Sequence, residues 1–441
     1  MYHPALGMNP LTPMPLRQWD VLHIIYLYLE RHGHKAASVD QIWALDQSLV
    51  RRSHRGETLS VETLQGKPPT VPGLRWRHPL RPPICCSPCL LPRSRLFHNR
   101  SRSFIPASGM MQLNGIILGA CPSWRQFPDA VLASGAGNAF SMTVAAAHLV
   151  VAVMRLFRIL CPGVEWINKA GIEQKHLPEF ALQHIVQFYV KRARVSLVCS
   201  DTAASATSVA SAACNTIRFG SLCSGTDFVA ALMPCIVQAI RDLNRANSPE
   251  MHCKQEFSAE IDARMRDFSA SNFAPALNVY TDVNKLPRSI PEVHLLIFGS
   301  SCRGLSWMNT KRRCLGHQDA NNPLHTSGAT MAGCLEYVRH RRPRVLLLEN
   351  VRGLLAVSAV LSQPGRPVRN IDHVMSTLKS LGYTCGYTCV DSRKFLLPQS
   401  RPRIWVWAEH GGGDEAQQFW TRLLARMQST GTFSVESLLV H

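Results

Sequence analysis

The chain has 441 residues, 46% of them hydrophobic, and a formal net charge of +19. That length and apolar content exclude an intrinsically disordered chain and allow two or three domains. The charge is unusual for an enzyme of small-molecule metabolism. It points to a polyanionic partner, nucleic acid first and an anionic membrane surface second, because Lys and Arg gain affinity by releasing phosphate counterions.

Residues 17–50 read as helical, with Leu22, Ile25, Tyr26, Leu29, Ile42 and Leu45 on apolar faces. From Arg51 to Arg125 about twelve Arg and Lys stand against Glu57 and Glu62, so roughly half of the excess charge is concentrated there. Arg75-Trp-Arg77 and the run from Arg93 to Arg102 mix cations with aromatics. That mixture suits phosphate contact and base stacking, and equally a solvated basic face. Cys86-Ser-Pro-Cys89 has C-x-x-C spacing without a second pair or a His cluster, so no metal site is expected. The fifteen cysteines are scattered and no secretory signal is seen, which predicts free thiols in a reducing, intracellular compartment.

The stretch Val131–Met154 lacks charged side chains but carries Gly135, Gly137, Asn138 and His148. A loop leading into a buried apolar helix, Met142–Leu156, is predicted there in preference to a membrane span. Residues 161–215, ending in a Ser-, Ala- and Thr-rich run, read as a linker.

The second half alternates in period. Strand-like runs fall at Thr216–Cys223, Gln255–Glu260, Leu277–Thr281, Val293–Gly299, Arg344–Glu349, Tyr383–Val390 and Arg403–Ala408. Helical patterns fall at Phe228–Arg245, Met331–Arg341 and Ile371–Leu381. Strand, helix, strand in this rhythm predicts an α/β fold with a mostly parallel sheet, whose ligands bind at the carboxyl ends of the strands.

Several of those strand ends carry chemistry. Arg218 to Phe228 runs from a strand through Ser and Gly into a helix, which lets backbone N–H groups approach a ligand. The next strands end at Glu260, able to accept from ribose hydroxyls, and at Asp282, able to accept from an adenine amino group. The plain alternative for both acids is helix N-capping. Val293 to Ser306 is a hydrophobic strand that ends in a small-residue turn presenting Cys302, the residue type of a nucleophile.

Phe219-Gly-Ser-Leu-Cys-Ser-Gly225, Ser301-Cys302-Arg303-Gly-Leu-Ser306, Glu349-Asn350-Val351 and Gln399-Ser-Arg401-Pro-Arg403, in this order, resemble the cytosine carbon-5 DNA methyltransferases. The resemblance covers roughly residues 216–408. It implies a Rossmann-like class I methyltransferase fold, S-adenosylmethionine as cofactor, DNA as substrate and the nucleus as location. It also implies a cofactor pocket formed by Phe219, Ser221, Cys223, Ser224, Gly225, Glu260, Asp282 and Asn138. In that pocket's partner site Cys302 would add to carbon-6 of the base and Glu349 would bind ring N3. Asn350 would hold the loop, and Arg401 and Arg403 would donate to the base carbonyl and a nearby phosphate. No metal is implied.

The chain departs from the family pattern in two ways. Ser301 stands where the family has Pro, loosening the turn, and Arg303 stands for Gln, where a cation beside Cys302 would favour the thiolate. Further, only about thirty-five residues follow Trp407, and the family's closing segments resemble stretches upstream: Gly137 to Val144, opening a helix against the cofactor, and, less closely, Met110 to Ile116. The expected division is a basic recognition-like region at 1–103, a closing segment at 104–160, the linker at 161–215, the catalytic core at 216–410 and a C-terminal helix and tail at 411–441. This order fits either a circular permutation or a piece cut from a tandem array. The recognition-like start favours the array. Methylation of tRNA by the same residues and a catalytically impaired nucleic-acid-binding module stand as alternatives.

Overall fold

A computed structural model of the chain describes residues 103–160, 180–198, 216–243, 251–306, 319–363, 365–429 and 431–434, with isolated residues and short pieces elsewhere. The helix predicted at 17–50, most of the basic region and most of the linker lie outside the described residues. Of the basic region, Leu96–His98 pairs with Leu59–Ser60 on one side and with Ser103–Phe104 on the other in a small antiparallel sheet.

The seven predicted strands all form. They are β1 (Thr216–Leu222), β2 (His252–Ala259), β3 (Asn278–Tyr280), β4 (Leu295–Phe298), β5 (Val345–Val351), β6 (Tyr383–Asp391) and β7 (Pro402–His410). Their order in one sheet is β3-β2-β1-β4-β5-β7-β6, parallel except that β7 runs antiparallel between β5 and β6. The predicted mostly parallel α/β architecture is the one observed.

Both faces of this sheet are buried, which is why its middle strands read as unbroken apolar runs. Leu295, Ile297, Val345, Leu347, Trp405 and Trp407 face one core, and Leu296, Phe298, Leu346, Leu348, Ile404 and Val406 face the other. The second core is closed by α7 (Thr326–Arg341) and α8 (Asn370–Ser380). The first is closed by α3 (Met142–Leu160), α4 (Leu182–Val198), α5 (Val229–Leu243) and α9 (Gly413–Met427), with α6 (Ala263–Asn272) at its margin. Ahead of these, α1 (Ala107–Leu113) and α2 (Asp129–Asn138) pack on each other near the strand ends.

Two expectations change. Gly135, Gly137 and Asn138 belong to helix α2, not to a loop; Pro128 at its N-cap and Asp129 in its first turn start the helix early. Within the expected linker, α4 buries Ile185, Val186, Tyr189, Val190 and Ala193 against the core, a helical spacing.

The closing segment joins the catalytic sheet: α3 shares one core with β1, β4, β5 and β7. Its Arg155 lies buried with Nε 2.9 Å from Glu409 Oε2 on β7 and Nη1 2.6 Å from Glu415 Oε1 on α9. The apolar α3 is long enough to cross a bilayer, but here it is the central helix of one core layer.

Candidate active site

Cys302 follows β4 in a loop tied down on both sides. The Ser301 N–H donates to Thr330 Oγ1 at 2.9 Å and the Gly304 N–H to Ser327 Oγ at 2.8 Å, both acceptors in the first turns of α7. The carbonyl of Cys302 accepts from the N–H groups of Leu305 and Ser306. Asn350, at the end of β5 and 1% exposed, donates to the Ser300 carbonyl at 3.1 Å and to its hydroxyl at 2.9 Å. Ser301, where the family has Pro, thus brings an N–H to Thr330 that a proline lacks. At Gly299 an added Cβ would stand 2.5 Å from the Phe140 ring, so only glycine lets the closing segment cover this loop.

Glu349, two residues before the end of β5, pairs with Arg403 of β7: Arg403 Nε lies 3.0 Å from Glu349 Oε1, and each side chain is 12% exposed. Burial pushes the Glu349 carboxyl above its ordinary value, and Arg403 and Arg401 pull it back only in part. Cys302 is half-buried; burial and then the Glu349 charge raise its thiol, against the opposing pull of Arg403 and Arg401. The cations that act most strongly on the thiol are thus these two from β7 and the turn before it, not the adjacent Arg303.

Arg401 is 3% exposed, and its guanidinium donates to the carbonyls of Leu90 at 3.1 Å, Gly137 at 3.0 Å and Ala139 at 2.8 Å. Those bonds tie Leu90 and the closing segment to the catalytic sheet. Cys89, which the sequence shows only as half of a C-x-x-C pair, stands 3.8 Å from Arg401 Nη1 and 3.6 Å from Arg403 Nη2. Burial raises its thiol, yet the two guanidiniums outweigh burial and hold it below the usual cysteine value.

The turn after β1 carries left-handed backbone at Cys223 (φ 53°), Gly225 (φ 57°) and Asp227 (φ 49°). Two of the three are not glycine, a conformation that costs about 1–2 kcal/mol per residue and persists where the surroundings fix it. Several contacts fix it here. The Gly225 N–H donates to Glu260 Oε2 at 2.7 Å and the Ser224 N–H to the Ala259 carbonyl. Asp227, 2% exposed, accepts from Ser221 Oγ at 2.9 Å and Gln255 Nε2 at 2.8 Å. Burial pushes Asp227 up to about 6, aided by the Glu260 charge and opposed by the Gln255 and Ser221 bonds.

Of the expected pocket residues, Cys223, Ser224, Gly225 and Glu260 come together at this turn. Asn138 approaches through its backbone: its carbonyl would lie 4.0 Å from a Cβ on Gly225, while its side chain points to Ser134. Asp282 Oδ1 caps a short 3-10 turn by accepting from the Asn284 N–H at 2.9 Å. Phe219 does not line the turn; it is 2% exposed within the first core. Ser221 is likewise inside, where its bond to Asp227 braces the turn. Phe140, Asp227, Gln255, Ser327, Thr330 and Cys89 were not anticipated. Of these, Asp227 and Phe140 stood in stretches that resemble family motifs, and Cys89 in the C-x-x-C pair.

Residues 243–423 match the family model described as C-5 cytosine-specific DNA methylase. Over this stretch the chain is similar to that family. The match holds Cys302, Glu349, Asn350, Arg401 and Arg403 and begins after the turn of β1. The chain is 25% identical over 239 residues to a DNA (cytosine-5-)-methyltransferase, DMT5, of Cryptococcus neoformans, covering 51% of this chain and 9% of that protein. It is 31% identical over 155 residues to the Type II methyltransferase M.NgoBI of Neisseria gonorrhoeae, covering 35% of this chain and 43% of that one. The chain thus spans less than half the length of either relative. Among solved structures, Dnmt2 methyltransferase of S. pombe matches with 19% identity and a TM-score of 0.29, over 44% of this chain and 51% of that one.

Proposed function

We propose that this chain transfers a methyl group to carbon-5 of cytosine in DNA, with Cys302 as the attacking group. The observation that carries the reading is the convergence of Cys302 with Glu349 and Arg403 where β4, β5 and β7 lie side by side. Carbon-5 of cytosine is a weak nucleophile. Addition of the Cys302 sulfur to carbon-6 makes it enamine-like, and negative charge builds toward ring N3. Burial eases protonation of this carboxyl, and once protonated it can donate a hydrogen bond there, which is the part assigned to Glu349. Once protonated, Glu349 no longer repels a thiolate at Cys302, so the two protonation states that the step needs favour each other. Arg403 holds Glu349 by Oε1, leaving the other oxygen for the base.

The turn at 223–226 suits S-adenosylmethionine. The Glu260 carboxylate spends one bond per oxygen, on the N–H groups of Gly225 and Asp262, and each oxygen keeps a lone pair for a ribose hydroxyl. Glu260, Asp282, the backbone of Cys223 to Gly225 and the α2 terminus at Asn138 would hold the cofactor, which when bound supplies an electrophilic methyl group. A base inside a duplex must leave its stack to reach Cys302. The net charge of +19 and the basic, aromatic stretch before residue 103 support a DNA partner, with the nucleus as the place of action. The order of 104–160 before 216–410 is read as a circular permutation of one catalytic unit.

The test is a covalent trap. Incubated with S-adenosylmethionine and duplex DNA containing 5-fluorocytosine, the protein forms a stable adduct that Cys302→Ala does not. An adduct only with fluorocytosine-substituted tRNA would move the substrate to RNA. No adduct with either, from protein shown to bind the cofactor, would leave a nucleic-acid-binding module without catalysis.

A further inference from the structure

The backbone on either side of Cys89 is stitched to the turn that leads into β7. Ser87 stands opposite Gln399 in a parallel bridge, and the Ser400 N–H donates to the Ser87 carbonyl at 2.8 Å. Leu90, 1% exposed, accepts from Arg401 Nη1 through its carbonyl at 3.1 Å. Cys89 lies between these two anchors, and its sulfur accepts from Arg401 Nη1 at 3.8 Å and from Arg403 Nη2 at 3.6 Å. All three nitrogens of Arg403 are thereby used: Nε on Glu349 at 3.0 Å, Nη2 on Cys89 and Nη1 on the Pro402 carbonyl at 2.9 Å.

We propose that Cys89 is a positioning residue for methyl transfer: its sulfur is the second anchor of Arg403, the one that stays when Glu349 takes up a proton. The proposal rests on the function argued above, which asks Glu349 to become an acid beside a base. At that moment Arg403 loses the charge of its carboxylate partner. A thiolate at Cys89 still answers that charge, and the two guanidiniums favour the thiolate against burial. A protonated Cys89 would donate to the Leu90 carbonyl at 3.7 Å, an oxygen that already takes the shorter bond from Arg401.

The same cations act on every acid of the cluster. Arg401 and Arg403 repel each other, and Cys89, Glu349 and Cys302 are the anions that surround them. With Cys89 neutral, the pull of both guanidiniums on Glu349 and Cys302 is undivided. Both groups then lose their protons at lower pH. A thiolate at Cys302 gains from this, but Glu349 is held ionised and has no proton to give ring N3. The coupling is reciprocal: an anion at Glu349 must resist ionisation of Cys89 as much as Cys89 resists ionisation of Glu349.

Two measurements on the full-length protein test this. The first needs neither catalysis nor a change at Cys89: the pH dependence of iodoacetamide labelling, resolved by site with peptide mass spectrometry, in wild type and in Glu349→Gln. Cys89 of the wild type should reach half-maximal labelling below the ordinary cysteine value of about 8.5. Glu349→Gln takes away the anion that competes for Arg403, so the midpoint should fall by about one further pH unit. The second follows the rate of fluorocytosine trapping with pH in wild type, Cys89→Ser and Cys89→Asp. Serine keeps an acceptor for Arg403 without the charge, so both limbs of the profile, set by Cys302 and Glu349, should move to lower pH by about one unit, and the rate at pH 8 should drop about tenfold. Aspartate restores a charge and should return both limbs toward their wild-type positions. An ordinary labelling midpoint at Cys89, or one that Glu349→Gln does not move, overturns the proposal. So does a Cys89→Ser profile that is lower at every pH without shifting, which would make Cys89 a packing residue only. If Cys89→Ser does not fold, the labelling decides alone. A wild type that traps no base at any pH refutes the proposed function instead, and the labelling still decides whether Cys89 and Glu349 share Arg403.

Discussion

Arg403 reaches diagonally across the β5–β7 pairing to hold Glu349: the direct partner of Glu349 is Trp405, and Arg403 itself stands opposite Val351. The pair therefore depends on the register of two antiparallel strands as much as on two side chains. Arg403→Met removes the cation and leaves the buried carboxyl alone. The folded-state value of Glu349, already raised by burial, then rises further. The folded protein keeps a proton that the unfolded chain has released, so the variant loses stability relative to wild type as pH rises above the ordinary glutamate range. The deficit should approach about 3 kcal/mol near neutral pH and shrink in acid. Urea denaturation of both proteins at pH 5 and pH 8 measures it. An equal deficit at the two values would show that Glu349 is not the group left exposed.

Arg401 and Arg403 are two residues apart and should respond differently to lysine. Arg401→Lys keeps a charge near Cys302 but cannot span the carbonyls of Leu90, Gly137 and Ala139, because an ammonium lacks the planar fork. The cost should be about 2–4 kcal/mol of stability, with the rate of fluorocytosine trapping per folded molecule within tenfold of wild type. Arg403→Lys loses the aligned bond to Glu349 and should slow trapping by about a hundredfold. A large rate loss in Arg401→Lys at unchanged stability would return Arg401 to the base.

Much of this site was legible because the strand ends announce it. Cys302 and Glu349 stand at or beyond the end of a run of apolar residues, Arg403 stands at the start of one on the antiparallel β7, and an α/β sheet gathers these ends into one place. Direction of approach was not legible. Two residues apart, Arg401 and Arg403 would share a face of a strand, but Arg401 stands before β7 begins, and its destination is set by the end of α2, some 260 residues away in sequence. Phe219 misled for a related reason: on β1 it shares a face with Ser221 and enters the core, while the turn proper begins at Cys223. The brace at Ser301 was invisible because its partner Thr330 lies on a helix reached only through tertiary packing.

Asp227 makes a pH prediction at the cofactor turn. Burial pushes its carboxyl up to about 6, from about 4 in an unfolded chain. Between those values the folded protein binds a proton that the unfolded chain has lost. Stability contributed at this site therefore falls as pH rises through the window and stays lower above it. The full loss is on the order of 3 kcal/mol. Asp227→Asn keeps an acceptor for Ser221 and, after Gln255 turns its amide, a donor toward it, and it does not titrate. Its stability relative to wild type should climb between pH 4 and pH 7 by about that amount. Glu260 is the other carboxylate acting on this group, so the comparison should be repeated in Glu260→Gln, where the climb should be smaller. A difference between Asp227→Asn and wild type that is flat with pH would mean that Asp227 ionises in the fold as freely as in the unfolded chain.

Arg155 tests whether the two halves of the chain are one folding unit. It lies on α3, ahead of the catalytic segments in the sequence, and both its acid partners, Glu409 and Glu415, lie at the far end of the chain. Glu409 is fully buried and also accepts from Trp420 Nε1 at 3.4 Å. Replacing Arg155 with Met strands that carboxylate, since Arg344 approaches only to 3.9 Å. A loss of about 3–5 kcal/mol is expected. Glu409→Gln removes the charge that Arg155 answers, so in its background Arg155→Met should cost at least 1 kcal/mol less, the mark of direct coupling in a double-mutant cycle. If residues 142–160 complete the same core as β1 to β7, the loss must appear in the single unfolding transition of the sheet, followed by the fluorescence of buried Trp405 and Trp407. Unchanged stability of that transition, with α3 released to protease, would mean that the N-terminal helix docks without belonging to the core.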